Sequence, residues 1–284
     1  MVEGYYPNTL LEALKILEEK DIIIHAGGTD LMVRNKNITS LLPKFDKDLL
    51  YIGDLKELKE IKICDSMIEI GAACTYSKLL KEKEIPNVLK EAIKEIASPA
   101  IRNKGTIGGN ICNASPAGDT LPILYALDAK LKLTNISISR EINIEDFILG
   151  PRKITLKKDE ILESIIIPKS KINITYYEKV GARKASAISK LSVVALADIE
   201  NEKINDIRIA LGAVGTTVVR RKEIENIIIG TDLKDIKNKI EIIKKAYSEK
   251  ITPINDQRST AIYRKTVALK LIEYFLISKL PAIH

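Results

Sequence analysis

Apolar residues recur at helical spacing near the start of the chain and form short continuous runs further along. In Thr9–Lys20 the apolar positions 10, 11, 14 and 17 predict a helix with one buried face. Asp21–Ala26 is a short apolar run that leads into two glycines, which predicts a buried strand followed by a tight turn. A helix, a strand and a glycine turn in this order are typical of a layer of helices packed on a sheet.

Short strands and helices continue to alternate as far as residue 168. The pattern predicts strands at 50–53, 130–134 and 161–168, a hairpin at 61–72, and helices at 55–60, 75–83, 87–97 and 120–127. Between these elements lies Ser98–Asp119, which is rich in glycine and proline. We predict turns and loops there, with Asn113–Asp119 remaining irregular up to the helix that begins near Thr120.

The last third of the chain has a different rhythm. Three strands are predicted at 175–180, 188–199 and 203–214, with Asn201-Glu202 as the turn between the last two. Helices follow at 220–228, 235–247 and 259–276. Strands followed by helices favour a separate α+β domain, and the proline that ends the preceding strand places the boundary near Pro168–Ile174.

Composition excludes several classes of protein. Of the 284 residues, 45% are apolar and 29% charged, as in a globular protein. No apolar run reaches membrane-spanning length, and the N-terminus carries no secretory pattern, so we expect a cytoplasmic protein without membrane insertion. Cys64, Cys74 and Cys112 are isolated in the sequence, and His25 and His284 are the only histidines. We therefore expect no metal centre and no iron–sulfur cluster within this chain.

The formal charge of +7 is spread along the chain rather than gathered in one block. Aromatic residues are only 5%, and a nucleic-acid binder would show a basic stripe with interleaved aromatics. We interpret the charge as a lysine-rich surface and expect no nucleic-acid partner. A non-enzymatic nucleotide- or nucleic-acid-binding protein stays open as an alternative.

Two glycine loops are the candidate binding elements. Ala26–Leu31 (AGGTDL) follows the predicted strand at 21–26, and Gly105–Asn110 (GTIGGN) lies in the long irregular stretch. Paired glycines let backbone N–H groups approach an anion, although each pair is also compatible with a plain tight turn. Neither loop has a Walker A ending or the Gly-x-Gly-x-x-Gly pattern. Two loops about eighty residues apart suggest two walls of one cleft for a diphosphate flanked by sugars.

Four segments together resemble a known family. They are AGGTDL at 26–31, TIGGNICNASPAGD at 106–119, YEKVGARKASAIS at 177–189 and RSTAIYR at 258–264. In this order and spacing they are similar to the FAD-binding subunit of molybdenum hydroxylases of the xanthine dehydrogenase and carbon monoxide dehydrogenase type. The resemblance implies an α+β fold. It also implies an FAD-binding domain of the vanillyl-alcohol oxidase type at 1–170, with subdomains near 1–54 and 55–170, and a smaller C-terminal domain with antiparallel sheet and helices at 171–284.

The resemblance also implies cofactor-binding residues but no catalytic side chain. The first loop would wrap the FAD diphosphate, the second would meet the flavin and its phosphates, and Asp119 would accept hydrogen bonds from sugar or ribityl hydroxyls. Lys179 would reach into the cofactor site, and Ile96, Ile161 and Leu162 would pack near the adenine. The remaining implied residues are Ile24, His25, Ala26, Gly27, Gly28, Thr29, Asp30, Leu31, Thr106, Gly108, Gly109, Asn110 and Asn113.

Several of these residues have an ordinary structural interpretation. Asp119 could cap the following helix, Lys179 could be a solvated strand residue, His25 could simply pack beside the loop, and Cys112 could be a buried inert thiol. The sequence also departs from the family in one place. Many relatives carry an acidic residue in the loop at Arg183–Ile188, and this chain has none there.

The implied function is electron transfer within a complex. A large partner subunit would hold the molybdenum cofactor, and a small one would hold [2Fe–2S] clusters. The chain's FAD would take electrons from these clusters and pass them to NAD or another acceptor, most simply in a xanthine dehydrogenase-like enzyme. We expect little turnover without the partners. A stand-alone FAD-dependent reductase or oxidase of the same fold stays open as an alternative.

Overall fold

The computed structural model describes residues 2–36, 43–183 and 186–281. Most strands are short, and the longest lie in the last third of the chain. In chain order the strands are β1 Gly4–Tyr5, β2 Ile23–His25, β3 Leu49–Tyr51, β4 Ile61–Ile63, β5 Met67–Gly71, β6 Lys130–Thr134, β7 Ser139–Asn143, β8 Ile148–Gly150, β9 Lys153–Ile154, β10 Ile161–Pro168, β11 Ile174–Val180, β12 Leu191–Glu200, β13 Lys203–Gly212 and β14 Val219–Arg220.

The helices are short in the first half of the chain and longer near its end. Two 3₁₀ segments, Glu57–Lys59 and Leu233–Lys239, and a π-helical turn at Phe275–Lys279 supplement them. In chain order the α-helices are α1 Leu10–Glu19, α2 Leu31–Arg34, α3 Tyr76–Lys81, α4 Asn87–Lys94, α5 Pro99–Arg102, α6 Ile107–Asn113, α7 Leu121–Ala126, α8 Ile144–Phe147, α9 Lys222–Ile228, α10 Ile240–Lys250 and α11 Ala261–Tyr274.

The chain folds as two compact units. Unit 1 comprises Met1–Ile85, Ala97–Ala114 and Ala129–Pro168. It contains a parallel sheet in the order β1-β3-β2 and a five-stranded antiparallel sheet in the order β4-β5-β10-β6-β7. Thr9 caps α1 by accepting the N–H of Glu12, and the buried face of α1 packs with Leu50 of β3. This packing fixes β2 and the loop that follows it.

Unit 2 comprises Pro86–Ile96, Ser115–Asp128 and Lys169–His284. Its antiparallel sheet has the order β11-β12-β13-β14, with α7 and α11 both in contact with β12. Asn201 and Glu202, both with positive φ, make the two-residue turn between β12 and β13, as predicted. A buried cluster from the sheet and from α9, α10 and α11 forms the core. The α+β fold class is therefore confirmed.

The irregular stretch is more ordered than we predicted. Our expectation of turns and loops over Ser98–Asp119 was wrong for α5 and α6, each of which begins after a hydroxyl cap at Ser98 or Thr106. Capping oxygens can hold a first helical turn even where glycine lowers helix propensity. The left-handed residue Ala114 ends α6, and the chain is irregular from Ser115 to Asp119.

Other differences are of detail. The hairpin at 61–72, the strands at 130–134 and 161–168 and the helix at 9–20 are confirmed within a few residues. The strands β1, β7, β8, β9 and β14 were not predicted, and the predicted domain boundaries stay a prediction. Within the described residues, no helix combines the length and the apolar character that a membrane crossing requires.

Candidate functional site

The first glycine loop leaves the end of β2 and turns sharply. A Cβ atom on Gly27 would lie 2.0 Å from the carbonyl oxygen of Lys104, and one on Gly28 would lie 2.2 Å from Nε2 of His25. Gly28 also has a φ of +69°, which side-chain-bearing residues rarely adopt. A side chain at either position would therefore clash, at Gly27 with the backbone of Lys104 and at Gly28 with the ring of His25.

The N–H groups of this loop are available to a ligand. Within the described part of the chain, the backbone N–H groups of Gly27, Gly28, Thr29 and Asp30 donate to no protein acceptor. Successive N–H groups around a left-handed residue form a concave anion-binding nest. We call residues 27–30 the N–H nest. Its donors match the oxygens of a diphosphate, so this element fits the nucleotide part of FAD.

The residues at the two ends of this loop, Asp30 and His25, differ in their contacts. Asp30 occupies the N-cap position of α2 but makes no capping hydrogen bond. It is exposed, and its carboxylate lies 3.9 Å from the guanidinium of Arg34. His25 packs against the ring of Tyr51 at 4.6 Å, and burial lowers its pKa. This neutral ring supports the loop, in agreement with the packing interpretation.

The second glycine loop is in fact the first turn of α6. Thr106 Oγ1 accepts the N–H of Gly109 at 3.1 Å, and the carbonyl of Thr106 accepts the N–H of Asn110 at 3.1 Å. The first of these bonds is a helix cap. The Thr106 hydroxyl and these two N–H groups therefore have partners within the helix itself.

The other donors of this turn are also engaged. Ile107 N–H donates to Cys74 O at 3.1 Å, and Gly108 N–H donates to Ala72 O at 2.9 Å. A Cβ on Gly108 would lie 2.6 Å from that of Ala72. The glycine at 108 therefore serves close packing of α6 on the strand end. Of the backbone N–H groups at 105–110, that of Thr106 alone has no acceptor within the described residues.

The two loops adjoin within unit 1. Gly27 abuts Lys104, and a Cβ on Gly105 would lie 3.5 Å from Thr29 Oγ1. The second loop thus supports the first rather than facing it across a wide gap. Asn113 is the last residue of α6 and is half-buried.

Unit 2 contains a buried ion pair that joins two of the predicted residues. Lys179 Nζ lies 2.7 Å from Asp119 Oδ2, and their side chains are 4% and 11% exposed. Ser189 Oγ donates to Asp119 Oδ1 at 2.5 Å, and Lys179 also donates to the carbonyl of Glu95 at 3.1 Å. The structural interpretations fail for both residues, because Lys179 is not a solvated strand residue and Asp119 makes no cap for α7.

The pair is arranged so that a ligand can still use it. A carboxylate has about four lone-pair sites, and the Asp119 carboxylate accepts from two donors here. Burial raises the pKa of Glu95, and the Lys179 ammonium opposes that rise. Ser189 was not predicted from the sequence. It is the last residue of the segment YEKVGARKASAIS, and a hydroxyl in that segment could have marked it as a site residue.

The remaining predicted residues are apolar and divide between the units. Ile161 and Leu162 are buried in unit 1 at 1% and 4% exposure, Ile161 in the core cluster with α1. Ile24 is half-buried beside that cluster, and Ile96 is half-buried in unit 2. Their contacts with an adenine stay a prediction. In the loop at 183–188, Lys184 and Ala185 lie outside the described residues.

Metal ligands and thiols are the remaining candidates for chemistry near these loops. The described ranges contain no group of three His, Cys, Asp or Glu side chains that could hold a metal ion. Burial raises the pKa of Cys112, within α6, to about 12. A raised pKa disfavours the thiolate at neutral pH, which agrees with the inert interpretation, although Cys112 is half-buried rather than buried.

Comparison with known proteins covers both parts of the chain. Family models described as "FAD binding domain in molybdopterin dehydrogenase" and "CO dehydrogenase flavoprotein C-terminal domain" match residues 1–170 and 176–278. The chain is 32% identical to the glyceraldehyde dehydrogenase medium chain of Sulfolobus acidocaldarius, over 91% of both chains. It is 31% identical to the nicotinate dehydrogenase FAD-subunit of Eubacterium barkeri, over 81% of this chain and 80% of the relative. Among solved structures, carbon monoxide dehydrogenase from Hydrogenophaga pseudoflava superimposes with a TM-score of 0.89 at 25% identity, over 99% of this chain and 97% of that one.

Proposed function

We propose, from the premise that this chain belongs to the family of FAD-binding subunits of molybdenum hydroxylases, that it holds FAD and relays electrons within a multi-subunit oxidoreductase. The single observation that carries the proposal is the N–H nest at residues 27–30, whose donors are unused within the described protein. A buried diphosphate needs such donors, because uncompensated charge is costly away from water.

The roles of the chain's own residues follow from their geometry. The N–H nest binds the diphosphate, and Thr29 adds a hydroxyl beside it. Thr106, Gly108, Gly109 and Asn110 hold α6 in place against Ala72 and keep the neighbouring loop in position. Their contacts with the flavin and its phosphates, including one from the unused N–H of Thr106, stay a prediction.

In unit 2, Asp119 accepts hydrogen bonds from sugar or ribityl hydroxyls, and Lys179 forms an ion pair with its carboxylate. The remaining predicted contacts complete the proposed set: Ile24, His25, Ala26, Asp30 and Leu31 around the nest, Asn113 at the end of α6, and Ile96, Ile161 and Leu162 near the adenine.

The redox chemistry belongs to the cofactor, which when bound can accept electrons singly and release them as a pair. The protein binds and orients it and supplies no acid, base or nucleophile. The relatives are named as a medium chain and an FAD-subunit, which favours a role beside other subunits. We propose a large partner that holds the molybdenum cofactor and a small partner that holds [2Fe–2S] clusters.

The finer proposal is a xanthine dehydrogenase-like complex in the cytoplasm that passes electrons to NAD. It rests on the sequence resemblance. The two relatives described above are named for glyceraldehyde and for nicotinate, so related chains serve different substrates. We infer that the large partner subunit, not this chain, selects the molecule that is hydroxylated, and that the isolated chain turns over no hydroxylation substrate.

Anaerobic reduction tests the proposal. The purified chain, loaded with FAD, is mixed with xanthine, nicotinate or an aldehyde, and the visible flavin absorbance is followed with and without the partner subunits. We expect bleaching only with the partners present. Bleaching of the isolated chain by one of these substrates would instead establish a stand-alone oxidase or reductase.

A further inference from the structure

Tyr177 carries a buried hydroxyl without a partner. Within the described residues, its oxygen has neither solvent exposure nor a hydrogen bond. Buried polar groups are nearly always hydrogen-bonded, because leaving one unpaired costs free energy. An unpaired hydroxyl of this kind indicates a partner that the protein itself does not provide.

The position of Tyr177 on β11 associates it with the ion pair of unit 2. Successive residues of a strand point to opposite faces, so Tyr177 shares a face with Lys179 and not with Tyr176. Tyr176 packs in the unit 2 core, with its ring 5.8 Å from that of Phe275. The face that holds Tyr177 is therefore the one from which Lys179 reaches Asp119.

The charges around Tyr177 restrict the kind of group it can meet. Burial raises the pKa of the Tyr177 phenol, and the carboxylates of Asp119, Glu95 and Glu178 raise it further. The phenol therefore stays protonated and can donate. A phosphate beside three carboxyl groups would be repelled, with Lys179 as the counter-charge already bound to Asp119. An uncharged oxygen suits this position better.

We propose that the Tyr177 hydroxyl binds FAD by donating a hydrogen bond to a ribityl hydroxyl oxygen of the cofactor. This inference rests on the proposed function and adds a contact to the binding set that sequence reasoning did not include.

Substitution of the hydroxyl alone gives the test. The variants Tyr177→Phe and Tyr176→Phe make the same chemical change on the two faces of β11. Apoprotein thermal unfolding and the Kd for FAD are measured for both. For Tyr177→Phe we expect a Kd about 3- to 10-fold weaker, the range for one neutral hydrogen bond, with an apoprotein Tm that is unchanged or higher. The Tyr176→Phe control should leave the Kd unchanged.

Competition with ADP locates the contact, because ADP shares the diphosphate of FAD but lacks the ribityl chain. Tyr177→Phe should leave the affinity for ADP unchanged. An equal loss for ADP and FAD would overturn the ribityl assignment. An unchanged Kd for FAD, as expected if water alone meets the hydroxyl, would overturn the inference and leave the proposed function intact. A wild-type chain that fails to bind FAD would overturn both.

Discussion

The two glycine loops look alike in sequence but use their backbones in opposite ways. In the first, the N–H groups of residues 27–30 have no acceptor within the described protein. In the second, the N–H groups of residues 107–110 are all bonded to the strand end or to Thr106. Paired glycines therefore signal close backbone approach, which can serve a ligand or the protein's own packing. The hydrogen-bond partners distinguish the two uses.

The largest expected effect is at Gly27. In the variant Gly27→Ala the new methyl group would meet the Lys104 carbonyl at 2.0 Å, so the nest must deform. We expect FAD affinity to fall about 100-fold, which is within the range for the loss of one hydrogen bond to a charged group. Isothermal titration with FAD measures this. Gly150→Ala is the control, because a Cβ there has no atom within 4 Å. If Gly27→Ala bound FAD as tightly as the wild type, the N–H nest would not be part of the FAD site.

Gly108→Ala should affect stability more than binding. Its methyl group would meet the Cβ of Ala72 at 2.6 Å, an overpacking that typically costs about 1–3 kcal/mol. Urea unfolding of the apoprotein should show this loss, while the folded variant keeps its FAD affinity within a few-fold of wild type. A loss of affinity as large as that of Gly27→Ala, at unchanged stability, would contradict the difference between the loops.

Thr106→Ala removes the cap of α6. It tests the same difference between the two loops with a smaller expected effect on stability. Loss of a hydroxyl cap costs about 1 kcal/mol. We expect the unfolding midpoint of the apoprotein to fall accordingly. The comparison variant Thr29→Ala removes a hydroxyl that has no hydrogen bond within the described chain, so it should leave stability unchanged and weaken FAD binding slightly. If Thr29→Ala lowered the stability and Thr106→Ala weakened FAD binding instead, the roles assigned to the two loops would be wrong.

The smallest effect concerns pH. Burial holds the pKa of His25 below 6.5, so the unfolded chain binds the proton more readily than the folded one. The stability contributed by neutral His25 is therefore complete above pH 6.5 and is lost as the pH falls towards and through the lowered pKa. Thermal unfolding between pH 7.5 and 5 should show a shallower decline for His25→Leu than for wild type. Parallel declines would show that His25 does not titrate in this way.

Local signals predicted most of the fold. The amphipathic spacing of α1, the hairpin at 61–72 and the Asn201-Glu202 turn depend on residues that are neighbours in the sequence. Among the missed strands, β1 depends on a distant partner, since it pairs in parallel with β3 over more than forty residues of chain. The strands β7, β8, β9 and β14 pair with neighbours in the sequence, and β8, β9 and β14 are only two or three residues long. Glycine content concealed α6, because the cap at Thr106 and the contacts with Ala72 compensate for weak helix propensity.

The sequence indicated which residues belong to the candidate site, but it did not indicate which of them contact each other. Asp119 and Lys179 were identified separately, and nothing in the sequence indicated that they pair with each other and with Ser189. The unpaired hydroxyl of Tyr177 follows from tertiary burial, which periodicity along one strand cannot report. The free N–H groups of the first loop likewise become visible only when every possible acceptor has been placed.

The most direct test of the central claim is the visible absorption spectrum of the purified chain, followed by release and identification of its cofactor after denaturation. We predict flavin bands without an iron–sulfur shoulder, and FAD at about one molecule per chain. A colourless protein that also fails to take up added FAD would contradict the claim, and the nest at residues 27–30 would then be an ordinary turn.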